Sequence, residues 1–169
     1  MATLLKDKII ENDPETISYL VERGFGELHR DTLLLLSPVE ALYLSENKKI
    51  DIIQKGKKIK FPKLLDILSP KDKDLGNRYL VFKDLRGKGY IARTGLKYGS
   101  HFRVYTKGIR VGEGHSTWLI HVVPENYHTS IYELSRAIRL AHSVRKQMIF
   151  AIVDSEGDIT YYELERITP

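Results

Sequence analysis

Tyr105, His115 and Lys146 are the residues of this sequence whose types and settings can do chemistry. Tyr105 closes the segment His101-Phe102-Arg103-Val104-Tyr105, in which Phe102 and Val104 alternate with Arg103 and Tyr105. In a strand this alternation puts Tyr105 on a polar face with an arginine. His115 follows Arg110-Val111-Gly112-Glu113-Gly114, a loop whose glycines permit unusual backbone angles close to a ligand. Lys146 ends a long helical segment. At about 100° per residue, Ser135, Arg136, Arg139, His142, Ser143 and Lys146 fall on one basic, polar face. Together a hydroxyl, an imidazole and an ammonium supply general acid–base chemistry and a cation for developing negative charge. Each also has an ordinary reading: a core or interface tyrosine, a surface histidine, a solvated helix face.

Other chemistries find less support. The sequence has no cysteine, which excludes disulfides, thiolate catalysis, iron–sulfur clusters and cysteine zinc sites. None of the six histidines shows a metal-binding spacing such as HExxH. His115 and His121 are six apart on one expected strand, on the same face but about 20 Å from each other. A metal-dependent nuclease needs clustered carboxylates, and Glu40 with Glu46-Asn47-Lys48 offers only a superficial carboxylate-x-Lys match on an expected helix. The sequence therefore calls for no metal and no cofactor.

Composition and charge set the partner class. The 169 residues are 42% hydrophobic and 29% charged, the balance of a soluble globular protein. The apolar runs Leu33 to Leu36 and Met148 to Val153 are too short to span a bilayer, and the start lacks the apolar stretch of a signal peptide, so the expected location is the cytoplasm. The net charge of +5 is unevenly placed: residues 1–75 carry 13 basic and 13 acidic side chains, residues 76–169 carry 14 and 9. Lysine dominates the first half (11 Lys, 2 Arg) and arginine the second (5 Lys, 9 Arg). Arginine is the better residue for bidentate phosphate contacts and for stacking on bases, and a concentrated arginine surface is the footprint of a polyanion. A solvated face is the alternative.

The elements that position these residues follow from local signals. Ser37-Pro38-Val39-Glu40 has capping-box spacing with proline at the first helical position, so a helix begins there and ends at Asn47. Lys49 to Gln54 and Lys57 to Phe61 read as two short strands around a turn at Gly56, and Pro62 opens a short helix over Lys63 to Leu68. Ser69-Pro70 marks the boundary between an amino-terminal mixed domain, 1–75, and a carboxy-terminal domain, 76–169. The latter begins with a helix carrying Leu75, Tyr79 and Phe82, stopped by Gly87 and Gly89. Strands are expected near 90–94, 102–106 and 116–123. A second capping box, Ser130 to Glu133, starts a helix whose apolar stripe is Ile131, Leu134, Ala137, Ile138 and Ala141. Met148 to Val153 reads as a buried strand, Asp154 to Asp158 as a turn, and Ile159 to Ile167 as a closing strand. The fold class is α+β or α/β: a small mixed domain followed by a mixed sheet around one long packed helix.

The run Lys97-Tyr98-Gly99-Ser100-His101-Phe102-Arg103-Val104-Tyr105, then His115-Ser116, then Ala141-His142-Ser143-Val144-Arg145-Lys146, resembles the catalytic domain of the archaeal tRNA-intron (tRNA-splicing) endonucleases. Tyr79 to Arg86, Gly89-Tyr90 and Ala151 to Asp154 match as well, so the resemblance covers essentially all of 79–169. Over 1–75 it rests on Leu-Ser-Pro-Val-Glu-Ala-Leu-Tyr-Leu (36–44), which is similar to the family's amino-terminal domain.

The resemblance implies a metal-independent endonuclease that excises introns from precursor tRNA at bulge–helix–bulge junctions, leaving 2′,3′-cyclic phosphate and 5′-hydroxyl ends. On that basis Tyr105 matches the general base, His115 the general acid and Lys146 the stabiliser of the transition state. Whether Tyr105 takes the proton or only orients the 2′-hydroxyl stays open. Arg139 aligns with an arginine that stacks on a flipped-out bulge base, with Arg103 and Arg136 as further RNA contacts. Asp154, Glu156 and Asp158 match an acidic loop that docks on another subunit, although position 156 is Glu where relatives often have Asp, and an ordinary hairpin turn suits the loop equally. Two cuts per junction require two sites at a fixed separation, which implies a homotetramer, or a second type of subunit. A non-catalytic, RNA-binding subunit of the same assembly is the alternative, as is a metal-dependent nuclease.

Overall fold

A computed structural model of the chain describes residues 1–6, 8–109 and 112–169. The chain divides into two compact units, Met1–Lys83 and Asp84–Pro169. Both are mixed α and β, as the fold class anticipates.

In the first unit, β1 (Ala2–Leu5) and β2 (Lys8–Glu11) form a hairpin, and α1 (Pro14–Glu22) follows. Asp13 caps α1 by accepting from Thr16 N at 2.9 Å and from the Thr16 hydroxyl at 2.6 Å, which satisfies an orphan donor of the first turn. Next come β3 (Glu27–His29), β4 (Leu33–Leu36), α2 (Pro38–Glu46), β5 (Ile52–Gln54), β6 (Lys57–Ile59) and α3 (Phe61–Leu68). The six strands run in the order β3-β4-β2-β1-β5-β6, with β1 and β5 parallel and the other pairs antiparallel. Leu4, Ile9, Leu20, Leu34, Leu42, Ile52 and Leu64 are fully buried. The capping box of α2 is complete, the helix ends at Asn47 as expected, and both strands of the Gly56 turn are present, each shorter than its apolar pattern. The first 36 residues hold four strands and a helix for which no sequence signal was read.

The glutamates of the carboxylate-x-Lys match have structural partners. Glu40 is buried and accepts from Gly26 N (2.9 Å), Ser37 N (2.8 Å) and the Ser37 hydroxyl (2.7 Å). Glu46 accepts from the Tyr79 hydroxyl and from Lys83 Nζ. Tyr79 and Lys83 belong to α4 (Leu75–Gly87), and the division between the units falls inside that helix, after Lys83. No helix among the described residues is long and apolar enough to cross a membrane.

The second unit is a five-stranded sheet in the order β11-β10-β9-β8-β7: β7 (Ile91–Thr94), β8 (Phe102–Tyr105), β9 (Trp118–Pro124), β10 (Gln147–Val153) and β11 (Ile159–Leu164), with α5 (Ile131–Ser143) between β9 and β10. The β9–β10 pair is parallel and the rest antiparallel, as a helical crossover between β9 and β10 requires. Gly95 opens the turn from β7 to β8. A Cβ there would lie 2.9 Å from backbone atoms of Ser100 and Phe102, closer than the chain can yield, so only glycine lets the two segments meet.

Helix α5 differs from expectation at both ends. The Ser130 side chain accepts from Glu133 N at 3.1 Å, but of the apolar stripe only Ala141 is buried, Leu134, Ala137 and Ile138 are half-buried, and Ile131 is 81% exposed. The helix ends at Ser143, so Lys146 lies in the turn beyond it and not on its basic face.

Candidate active site

Sheet register brings two of the three candidate catalytic residues level, and the third lies in the loop that leads into the same sheet. On the antiparallel β8–β9 pair Val104 faces Trp118, so the next residues along, Tyr105 and Thr117, come level. On the parallel β9–β10 pair Trp118 faces Gln147, which brings Lys146 level with Thr117. Tyr105, Thr117 and Lys146 thus form one row across three neighbouring chain segments, and two strand spacings put the outer backbones about 9.5 Å apart. Thr117 ties the row together: its N–H donates to Val104 O at 2.9 Å and its carbonyl accepts from Gln147 N at 2.9 Å. His115 sits two residues upstream, exposed in the loop before β9. The expected strand carrying both His115 and His121 therefore starts later, at Trp118. Arg110 and Val111 of the glycine loop lie outside the described residues.

Alternation fixes which way the row points. Leu119, one residue past Trp118, faces Arg103 and Met148, and Leu119 and Met148 form a cluster with Ala141, Ala137 and Ile138 of α5. Arg103, Tyr105 and Lys146 share that parity, so they belong to the face of the sheet that α5 covers.

Lys146 is held firmly. Its Nζ donates to Ser116 O at 2.7 Å and lies 5.4 Å from the centre of the Tyr98 ring. Ser116 is buried and adjoins His115. One ammonium therefore anchors the loop carrying the candidate acid. Tyr98 packs partly into the Leu119–Ala141–Met148 cluster, and its ring also lies 5.8 Å from Lys97 Nζ. Sequence reasoning assigned no role to Tyr98, Ser116 or Thr117, although Tyr98 stands inside the run Lys97 to Tyr105. The two backbone contacts carry no side-chain signal that a sequence could display.

The candidate RNA contacts have distinct settings. Arg103 lies on β8 between His101 and Tyr105, and its Nε is buried without a hydrogen-bond partner among the described residues. Arg136 is exposed and loosely paired with Glu133 at 3.7 Å. Arg139 is exposed and lines a hollow of about 480 Å³ with Ile131, Leu134, Ile138 and Arg166.

In the β10–β11 turn the Asp154 carboxylate accepts from Glu156 N and Asp158 N, each at 2.9 Å. Asp154 therefore builds the turn, while Glu156 and Asp158 are exposed. His121 packs against the His101 and Phe150 rings, and burial holds its imidazole below the usual histidine range.

A family model described as "tRNA intron endonuclease, catalytic C-terminal domain" matches residues 75–161, and a second, "tRNA intron endonuclease, N-terminal domain", matches residues 1–65. The two leave little of the chain uncovered and keep the order of the two units. The chain belongs to the tRNA intron endonuclease family. It is 43% identical over 162 residues to a protein of Pyrococcus horikoshii (95% of this chain, 92% of the other). It is 45% identical over 164 residues to one of Methanococcus vannielii (96% and 92%), and 42% identical over 160 residues to one of Thermococcus onnurineus (94% and 91%). All three bear the name tRNA-splicing endonuclease.

Proposed function

We propose that this chain excises introns from precursor tRNA by cutting bulge–helix–bulge junctions without a metal ion. The observation that carries this reading is the row Tyr105–Thr117–Lys146 with His115 beside it, joined through the Lys146–Ser116 hydrogen bond. RNA brings its own nucleophile. The 2′-oxygen attacks the adjacent phosphorus, a P–O2′ bond forms and the P–O5′ bond breaks. Tyr105 takes or orients the 2′-hydroxyl proton, His115 supplies a proton to the departing 5′-oxygen, and Lys146 balances the charge growing on the phosphoryl oxygens. The products are a 2′,3′-cyclic phosphate and a 5′-hydroxyl, and a 2′-deoxy position is not cut.

Arg103, with a buried donor left over, gains a partner in a phosphate oxygen of bound RNA. The hollow beside Arg139 sets the guanidinium groups of Arg139 and Arg166 beside apolar Ile131, Leu134 and Ile138, with Ser135 and Glu165 completing it. A guanidinium plane beside apolar side chains suits an unpaired base, and Arg136 lies one turn back on the same helix. Two cuts per junction call for two sites, and a homotetramer acting in the cytoplasm supplies them. Exposed Ile131 (81%) and Tyr132 (67%) leave apolar surface for a neighbouring subunit. Asp158 and Glu156 extend from the β10–β11 turn as its docking loop, shaped by Asp154.

The test is cleavage of a bulge–helix–bulge RNA by the purified chain in EDTA, with analysis of the ends. Cuts in both bulges leaving cyclic phosphate are expected. Activity that returns only with magnesium would overturn the metal-free reading, and activity that returns only with a second chain would overturn the homotetramer.

A further inference from the structure

The even charge of the amino-terminal half conceals a strong separation. Residues 47–63 carry seven lysines (48, 49, 55, 57, 58, 60 and 63) against one acid, Asp51, for a net +6. The rest of residues 1–75 carries 6 basic and 12 acidic side chains, a net −6. The lysine segment is one local structure: the end of α2, the β5–β6 hairpin and the start of α3. The hairpin register, Ile52 with Ile59 and Gln54 with Lys57, brings Lys55, Lys57 and Lys58 together at its closed end, while Lys48, Lys49, Lys60 and Lys63 flank its open end. The seven lysines thus form a local strip roughly 15 Å long on the backbone.

All seven lysines are exposed. Lys58 pairs with Asp51 at 2.5 Å; the other six have no ion pair among the described residues. Lys48 and Lys55 occupy left-handed backbone positions (φ 54° and 49°), where glycine or asparagine is the less strained choice. Edge strands often carry lysine to block pairing with other chains, and β6 is such an edge. That explanation covers Lys57 and Lys58 only, because the other five lie off the strand.

We propose that this lysine strip is a second RNA-contacting surface, which grips the phosphate backbone of a base-paired stem. Lysine acts on phosphate as a point charge without reading bases. A nucleic-acid duplex presents about one charge per 1.7 Å of its axis, the B-DNA value, so a strip of this length meets more phosphates than it has ammonium groups. The strip binds stems of any sequence, fixes where the substrate lies, and leaves base recognition and chemistry to the carboxy-terminal unit. The inference rests on the chain acting on RNA but not on the catalytic roles given to Tyr105, His115 and Lys146.

The test uses the full chain and two probes: a bulge–helix–bulge RNA with 2′-deoxynucleotides at both cleavage positions, and a plain RNA duplex. Affinity is measured from 50 to 200 mM KCl for the unaltered chain, for K57Q/K60Q/K63Q, and for a control with exposed lysines changed elsewhere, K8Q/K73Q. At about 0.9 in the logarithmic salt slope for each phosphate contact, the triple variant should lose about 2 to 3 from the slope on both probes. The unaltered chain's affinity would then fall up to roughly 40-fold more steeply over that salt range than the variant's. The control should keep its slope, and the triple variant its melting temperature and sedimentation. An unchanged slope in the triple variant overturns the proposal. So does an altered sedimentation coefficient with unchanged RNA slope, which would assign the strip to the acidic Glu156–Asp158 loop of a second copy. Failure of the deoxy-substituted RNA to block cleavage would count against the catalytic reading alone.

Discussion

Removing the Lys146 ammonium is the sharpest test of the site. As the 2′-oxygen bonds to phosphorus, about one unit of negative charge is added to the phosphoryl oxygens, to leave again with the 5′-oxygen, so only the interaction with that increment accelerates the reaction. A cation about 4 Å from one added charge contributes about 4 kcal/mol at an effective dielectric near 20 and about 1 kcal/mol in bulk water. Lys146 is half-buried, backed by Tyr98 and bonded to a buried residue, which puts it near the first figure. Lys146→Ala should therefore slow single-turnover cleavage by about 10² to 10³ at saturating enzyme, the scale for losing one preorganised stabiliser. Lys146 also anchors Ser116 next to His115, so part of the loss can arise from a loosened loop. Lys146→Arg separates the two effects, since it keeps the charge while changing the geometry at the Ser116 carbonyl. The assay is quench-flow cleavage of end-labelled RNA, with melting curves to establish folding. A Lys146→Ala rate within a few-fold of the unaltered chain would refute the electrostatic role and the mechanism built on it.

Three further outcomes follow from particular contacts. Tyr98→Leu removes the ring beneath Lys146; cation–π contacts are worth about 0.5–2 kcal/mol, so cleavage should slow by about 2- to 30-fold, Tyr98→Phe should restore it, and in a Lys146→Ala background the change should have no further effect. Arg139→Ala should raise the Kd for bulged RNA but leave Kd for plain duplex and the chemistry of the product ends unchanged; altered ends would remove Arg139 from recognition. His121 is kept neutral by burial, its folded value lying below the unfolded one of about 6.5. The unfolded chain therefore binds the extra proton: this contribution to stability is complete above about pH 6.5 and is lost as pH falls towards the folded value. Tm measured from pH 7.5 to 5 should drop, and the drop should be shallower in His121→Phe; identical slopes would show that His121 does not titrate on unfolding.

What could be read from the sequence depended on whether a local signal existed. Ser37 and Glu40 form the capping box their spacing announces, and Glu40 even reaches Gly26. Leu33 to Leu36 gave nothing, because four consecutive leucines show no alternation, yet the sheet buries Leu34 and Leu36 and leaves Leu33 and Leu35 half-buried. The end of α5 was misplaced for a similar reason. Lys146 N bonds Ala141 O at 2.9 Å across a turn whose left-handed position is taken by Arg145 (φ 57°), and with arginine in the place where glycine usually signals a helix stop, the helical pattern of the sequence continues past the end of the helix. Ile131 stayed exposed because helical periodicity reports that a face is apolar, not what covers it.

The mixed sheet explains why residues 41 positions apart in sequence can belong to one site. Antiparallel β8 ends where β9 begins, so Tyr105 and Thr117 meet across the connecting loop. A parallel return through α5 starts β10 beside the start of β9, so the chain delivers Lys146 to that same end. Were β10 antiparallel to β9, Lys146 would arrive at the far end of the seven-residue strand, about 20 Å away. The crossover helix thus has two tasks: it covers the face on which Tyr105 and Lys146 lie, and it sets the direction in which Lys146 enters the sheet. The side chains at the site came from sequence resemblance, but their meeting is fixed by backbone bonds through Thr117. Substituting the Thr117 side chain should accordingly disturb cleavage far less than inserting one residue between Thr117 and Trp118, which shifts the register and separates Thr117 from Tyr105 and Lys146.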